Sequence, residues 1–263
     1  MIICKTPAQI GKIGRAGEIV AGCLELLKGE CRPGVTTAGL DTGAERYIRE
    51  HGGIPTFKGY RGFPATICAS PNQMVVHGIP GPYVMSEGDI ISLDVGVTLD
   101  GWVADAAITV EVGDAGRQAK RLMEVTEASL MRGIAKCRPG NHLGDVSHAV
   151  QELVEENGFS VVRTLVGHGV GREMHEEPQI PNFGTPGEGP ELAEGMVFAI
   201  EPMVNIGTHK VVVAKDRWAI STADGSLSAH FEHTVAITKQ GPKILTASAA
   251  KDQTGLDAAS LLW

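Results

Sequence analysis

Leu40, Ala44, Tyr47 and Ile48 stand at i, i+4, i+7 and i+8, the spacing of one helical face. Val146, Val150, Leu153 and Val154 repeat that spacing at a constant offset of 106 residues. The same offset carries Cys31-Arg32-Pro33-Gly34 onto Cys137-Arg138-Pro139-Gly140, Glu50 onto Glu156 and Gly52 onto Gly158. A long helical stretch precedes each Pro-Gly, over Pro7–Lys28 and Ala115–Lys136, with Thr6-Pro7 as cap and first-turn proline of the first. A second helix follows each, over Thr37–His51 and Leu143–Asn157, ended by glycine. Matched apolar spacing over that length predicts two half-repeats, about 7–110 and 115–240. No Gly/Ser-rich or charged linker separates them, so a single domain over residues 1–250 is expected, with 251–263 a loose tail.

Between and after the helices the pattern changes to β-branched runs. Ile90–Thr98 and Trp102–Val110 flank Asp100-Gly101, a two-residue hairpin turn. Val161–Val166, Met196–Pro202, Lys210–Val213 and Phe231–Thr238 are further predicted strands. Helices and antiparallel strands in separate runs give an α+β class rather than a parallel α/β sheet.

The hairpin turn fixes a register in which Leu99 faces Trp102, Gly96 faces Asp105, and Ala107 faces Asp94. Asp94 and Asp105 then project from one side as diagonal neighbours, with Cα atoms ~7–8 Å apart and only Gly96 between them. Alone, such a pair reads as two solvent-facing acids on an ordinary hairpin. Three further features move the reading. His168 stands between Gly167 and Gly169 after an apolar run, with His175 seven residues on; Glu201 ends the apolar run Met196–Ile200; and Glu232 shares a strand face with Thr234 and Ala236. Four carboxylates and a neutral imidazole balance two divalent cations, and an oxygen-rich set with one nitrogen suits Mn²⁺, Fe²⁺, Co²⁺ or Zn²⁺. Two such ions ~3.5–4 Å apart can share a water and lower its pKa.

The remaining composition narrows the class. At 263 residues, 43% hydrophobic and 21% charged, the chain can bury a sizeable core, and its net charge of −8 argues against a nucleic-acid or anionic-membrane binder. No apolar run reaches the ~18 residues of a membrane span, and the amino terminus is too polar for a secretory signal. Cys4, Cys23, Cys31, Cys68 and Cys137 are odd in number and scattered, as reduced thiols of a cytoplasmic protein would be.

Several longer stretches carry a resemblance. Val76-His77-Gly78-Ile79-Pro80, Asp94-Val95-Gly96-Val97, Gly167-His168-Gly169-Val170-Gly171-Arg172-Glu173-Met174-His175-Glu176-Glu177-Pro178, Ile200-Glu201-Pro202-Met203 and Ser226–Thr234 occur together, in order. From about Ile3 to about Leu245 the chain resembles the type I methionine aminopeptidases. That resemblance implies the pita-bread fold: a curved antiparallel sheet, helices on its outer face, and a dimetal site between pseudo-symmetric halves. It also implies the ligands Asp94, Asp105, His168, Glu201 and Glu232, with Asp105 and Glu232 bridging two ions. The activity implied is release of the initiator methionine before a small second residue, by hydroxide attack on the first peptide bond. Glu201 would relay the proton, His175 would stabilise the oxyanion, and His77 would contact the scissile amide. Tyr60, Phe63, Cys68, His77, Met174 and Trp218 match the family's methionine pocket. The implied partners are peptide and nascent-protein N-termini, with transient ribosome association, no specific nucleic acid and no membrane, for a monomer in the cytoplasm.

Val103, Ala104 and Ala106 around the second aspartate, and Gln73, depart from the family's usual residues. These departures bear on the hydrogen bonds behind the ligands, which can matter ~10–100-fold in metal affinity. The same fold carries proline-directed aminopeptidases and dipeptidases, which usually have an extra amino-terminal domain; here the repeat begins within ~10 residues of Met1. A homologue without activity would have lost ligands, and all five are present.

Overall fold

The first half of the chain gives α1 (Pro7–Glu30), α2 (Thr37–Glu50), β1 (Ile54–Pro55), β2 (Ile67–Pro71), β3 (Met74–Val76), β4 (Ile90–Leu99) and β5 (Trp102–Glu111). The second gives α3 (Gly116–Ala135), α4 (Leu143–Glu156), β6 (Ser160–Val161), β7 (Val166–Gly169), β8 (Glu176–Pro181) and β9 (Val197–Ile200). Six more strands complete it: β10 (Met203–Asn205), β11 (Val211–Val213), β12 (Ile220–Thr222), β13 (Ser228–His230), β14 (Glu232–Thr238) and β15 (Gly241–Ile244). The computed structural model describes residues 1–247; the tail expected at 251–263 lies outside the described residues.

All four expected helices form, with ends shifted by at most two residues. Thr6 caps α1 by accepting from the Gln9 N–H, and Gln9 returns the bond to the Thr6 N–H, with Pro7 opening the helix. Thr36 caps α2 through the Gly39 N–H, and Asp145 accepts from the His142 N–H at the start of α4. Gly52 and Gly158, one step beyond the C-caps of α2 and α4, have φ of 78° and 76°, where a Cβ would be strained.

One antiparallel sheet dominates, in the order β1-β4-β5-β14-β9-β7-β8, with β2 added to β4 and β15 to β14. Its centre is the β4–β5 hairpin, whose register pairs Leu99 with Trp102, Gly96 with Asp105 and Asp94 with Ala107, as the turn dictates. Two small sheets, β13-β10-β6 and β11-β12-β3, sit beside it. The run expected as one strand over Val161–Val166 is instead two pieces in different sheets: β6 pairs with β10, and β7 pairs with β8 and β9. The expected strands at 196–202 and 210–213 are shorter. Pro202, with no N–H to donate, stands two residues past the end of β9.

Burial divides by sheet face. Leu93, Val95 and Val97 of β4 join Ile13, Leu27, Leu40 and Ile48 of α1 and α2 in one core cluster. Phe198 and Ile200 of β9, with Val235 and Ile237 of β14, join Leu122, Leu130, Val146 and Val150 of α3 and α4 in another. Because successive strand residues alternate, these helix-covered positions leave Asp94, Gly96, Ala199, Glu232 and Thr234 on the opposite, concave side.

Candidate metal centre and active site

Ladder registers bring the five expected ligands together. Asp94 is opposite Ala107, and Ala107 is opposite Glu232. Thr234, two residues on, is opposite Ala199, which is opposite His168. Asp105 lies two residues before Ala107, and Glu201 two residues after Ala199. Period-two alternation therefore carries one face across β4, β5, β14, β9 and β7, and all five side chains belong to it.

The atoms converge. Ligand atoms of Asp105, His168 and Glu232, all three buried, lie within 4.8 Å of one another. His168 Nε2 is 3.4 Å from Asp105 Oδ2 and 3.7 Å from Glu201 Oε1. His168 Nδ1 donates to the Gly169 carbonyl at 2.9 Å, which leaves the Nε2 lone pair free toward the carboxylates. Burial pushes the His168 pKa down despite that bond, so the ring is held neutral, the form that ligates. Thr234 Oγ1 accepts from the Asp105 N–H at 3.1 Å and lies 3.0 Å from Asp105 Oδ1. A hydroxyl from β14 thus supports the aspartate that Val103, Ala104 and Ala106 flank with apolar groups. Gln73, between β2 and β3, accepts the Thr222 N–H through its carbonyl.

Electrostatically the cluster is under strain. Burial and the Asp105 carboxylate push the Asp94 pKa well up. Burial raises Asp105 to about 6, with the Thr234 hydrogen bond opposing the rise. Burial, then Asp105, raise Glu201 and Glu232 well above the usual range. Asp94 Oδ1 is inaccessible and has no hydrogen-bond partner. A buried, unpartnered carboxylate oxygen beside three more carboxylates is an arrangement that divalent cations relieve, and the oxygen-rich donor set with one prepared imidazole nitrogen fits them.

The other expected residues ring this centre. Cys68 is directly opposite Asp94 in the β2–β4 ladder, and burial together with Asp94 keeps its thiol protonated. Phe63 and Trp218 meet edge to face at 5.1 Å, and Tyr60, Phe63, Cys68, Met174 and Trp218 belong to one apolar cluster. His175 lies at the open side, its ring 4.3 Å from that of His168, with Nδ1 2.8 Å from the Tyr60 hydroxyl. A phenol donating to Nδ1 leaves the ring proton on Nε2. Desolvation, aided by the facing His168, lowers the His175 pKa to about 4. His77 has φ of 60°, an uncommon conformation for a residue with a Cβ, and burial lowers its pKa. Thr234, the hydroxyl behind Asp105, and His230, 3.9 Å from Glu201, join the site without being among the residues expected from sequence. Alternation would have shown both, since each stands two residues from Glu232.

The family model for metallopeptidase family M24 matches residues 11–239. A methionine aminopeptidase of Clostridium perfringens is 52% identical over 94% of this chain and 99% of its own length, and methionine aminopeptidase 1 of Bacillus subtilis matches equally. The crystal structure of methionine aminopeptidase from Thermotoga maritima, 48% identical, superposes with a TM-score of 0.93 over 94% of this chain and all of that one. A prolidase from Pyrococcus furiosus, 23% identical and covered over 66% of its length, shares the fold at a TM-score of 0.76. The chain belongs to metallopeptidase family M24, among its methionine aminopeptidases.

Proposed function

We propose that this protein hydrolyses the first peptide bond of peptides and nascent chains, releasing an N-terminal methionine that precedes a small residue. The observation that carries the reading is the meeting of Asp94, Asp105, His168, Glu201 and Glu232 on one sheet face, beside an apolar cluster with a sulfur and aromatic rings. Asp94, Asp105, His168, Glu201 and Glu232 would hold two divalent cations, drawn from Co²⁺, Mn²⁺, Fe²⁺ and Zn²⁺, which would offset the four carboxylate charges, acidify water and offer a free α-amine an anchor.

The protein's own groups do the rest. Glu201, ionised when it holds a cation and of raised proton affinity through burial and its carboxylate neighbours, accepts a proton and passes it to the departing amine. His175, with Nδ1 occupied by Tyr60, presents Nε2–H to the oxygen on which negative charge develops. His77, held at positive φ, faces the scissile amide. Phe63, Cys68, Met174 and Trp218 take the methionine side chain, a thioether against rings adding ~0.3–1.5 kcal/mol per contact. The half-repeats 7–110 and 115–240 act as one catalytic domain. The protein works as a monomer in the cytoplasm, on nascent chains in transient contact with the ribosome.

Titrating chelated protein with each metal, while following a Met-Gly peptide, tests the reading. Turnover should rise with the metal added and should favour Met-Ala and Met-Gly over Xaa-Pro peptides. Faster release from Xaa-Pro peptides would overturn it.

A further inference from the structure

His230 ends β13, with Phe231 between it and the start of β14 at Glu232, and it is 2% exposed. Its backbone is tied on both sides: His230 N–H donates to Thr109 Oγ1 at 2.8 Å, and Thr109 Oγ1 donates to the His230 carbonyl at 2.8 Å. Ser92 extends this buried chain, its hydroxyl 2.8 Å from that of Thr109. β4, β5 and β13 are thus stitched together at the residue whose imidazole enters the site.

The imidazole Nε2 is inaccessible and has no hydrogen-bond partner, a destabilising arrangement if nothing offsets it. The nearest opposite partner is Glu201 Oε2 at 3.9 Å, while the other oxygen of the same carboxylate, Oε1, points to His168 Nε2 at 3.7 Å. Glu201 therefore sits between two imidazoles. One has its Nε2 lone pair free for a cation, because Nδ1 is engaged by Gly169. The other has an Nε2 that no group engages.

We propose that His230 is a positioning residue for the metal centre, its Nε2–H holding Glu201 Oε2 and so aiming Oε1 at the cation site beside His168. An approach of about 1 Å brings the pair into hydrogen-bond range. The carboxylate then has one oxygen for the protein and one for the cation and proton transfer. A rotated Glu201 would compete for both tasks. This rests on Glu201 being a ligand, as the functional reading has it.

His230→Gln, which retains a side-chain N–H donor, and His230→Leu, which does not, separate this role from packing. Chelated full-length proteins are titrated with Co²⁺, read by calorimetry and by the visible absorption of the bound ion, with melting curves alongside. His230→Leu should fold, bind Co²⁺ about tenfold or more weakly, shift the Co²⁺ spectrum, and lower kcat with little change in KM. His230→Gln should restore affinity and spectrum. Wild-type affinity and spectrum in His230→Leu would overturn the proposal, as would a His230→Gln variant no better than His230→Leu. The Co²⁺ titrations judge His230 even if the wild type releases no methionine, an outcome that would sink the functional reading alone.

Discussion

Lys5 Nζ lies 2.6 Å from Glu176 Oε2, and both side chains are under a tenth exposed. The segment before α1 is thereby fastened to the residue that follows His175. Glu176 also accepts the Arg172 N–H at 2.8 Å, closing the turn that presents Met174 and His175. Lys5→Met keeps the apolar stem and removes the charge. It should cost about 3 kcal/mol, the low end for orphaning a buried charge, because backbone N–H groups still face Glu176. Burial alone would raise the Glu176 pKa, but Lys5 and those N–H groups outweigh it and hold it below the ordinary value. The contribution is thus present above the unfolded pKa and lost as pH falls through the folded one. Melting curves should show wild type and Lys5→Met converging as pH drops below about 4. A gap that persists unchanged there would mean that the pair does not set it.

His175→Ala should lower kcat by about 10²–10³, the usual worth of an oxyanion donor. Tyr60→Phe removes the partner of Nδ1 without emptying the space, so it should reduce kcat less and leave KM nearly unchanged. Nitrogen NMR of the His175 ring should show a single tautomer, with the proton on Nε2, in wild type and a mixture in Tyr60→Phe. A change confined to KM in either variant would make these residues part of binding alone.

How far the sequence reaches is visible in particular elements. The β4–β5 register, and with it the shared face of Asp94 and Asp105, follows from Asp100-Gly101 alone, because a two-residue turn leaves one pairing. The helices follow from repeated apolar spacing and capping residues. Short strands such as β2, β8 and β13 carry no alternating pattern long enough to read, and β2 and β8 both end on proline. The convergence of His168 and Glu201 with the hairpin depends on the long-range pairing of β14 with both β5 and β9, which no local pattern specifies. Lys5 reaching Glu176 is likewise a tertiary event between residues 171 apart.

Gly167 shows why glycine precedes the site histidine. A Cβ there would stand 2.4 Å from the Ala199 carbonyl oxygen and 3.3 Å from Glu201 Cγ. Gly167→Ala should force β7 from β9 and displace both His168 and Glu201, at about 1–3 kcal/mol of overpacking. The loss of metal affinity should exceed what that destabilisation explains. Unchanged metal binding in Gly167→Ala would show that the close approach of β7 to β9 is not needed to set the ligands.

Metal removal should leave a pH signature. In the metal-free protein, burial and repulsion raise the pKa values of Asp94, Glu201 and Glu232 well above normal, and burial raises that of Asp105 to about 6. Raised folded-state pKa values mean that the carboxyl groups favour the fold below their unfolded pKa. That favour is lost as pH rises through the folded values. Cations bind the deprotonated forms, so their stabilising effect runs the opposite way. The melting temperature of chelated protein should therefore fall between about pH 5 and pH 7, and the increment on adding Mn²⁺ or Co²⁺ should grow over that window. Proton release on metal binding, measured in a weakly buffered titration, should be larger near the lower end, where more of the cluster still carries its protons. A metal increment that is flat across this window would mean that the carboxylates are already ionised in the empty site, and that repulsion among them does not drive cation uptake.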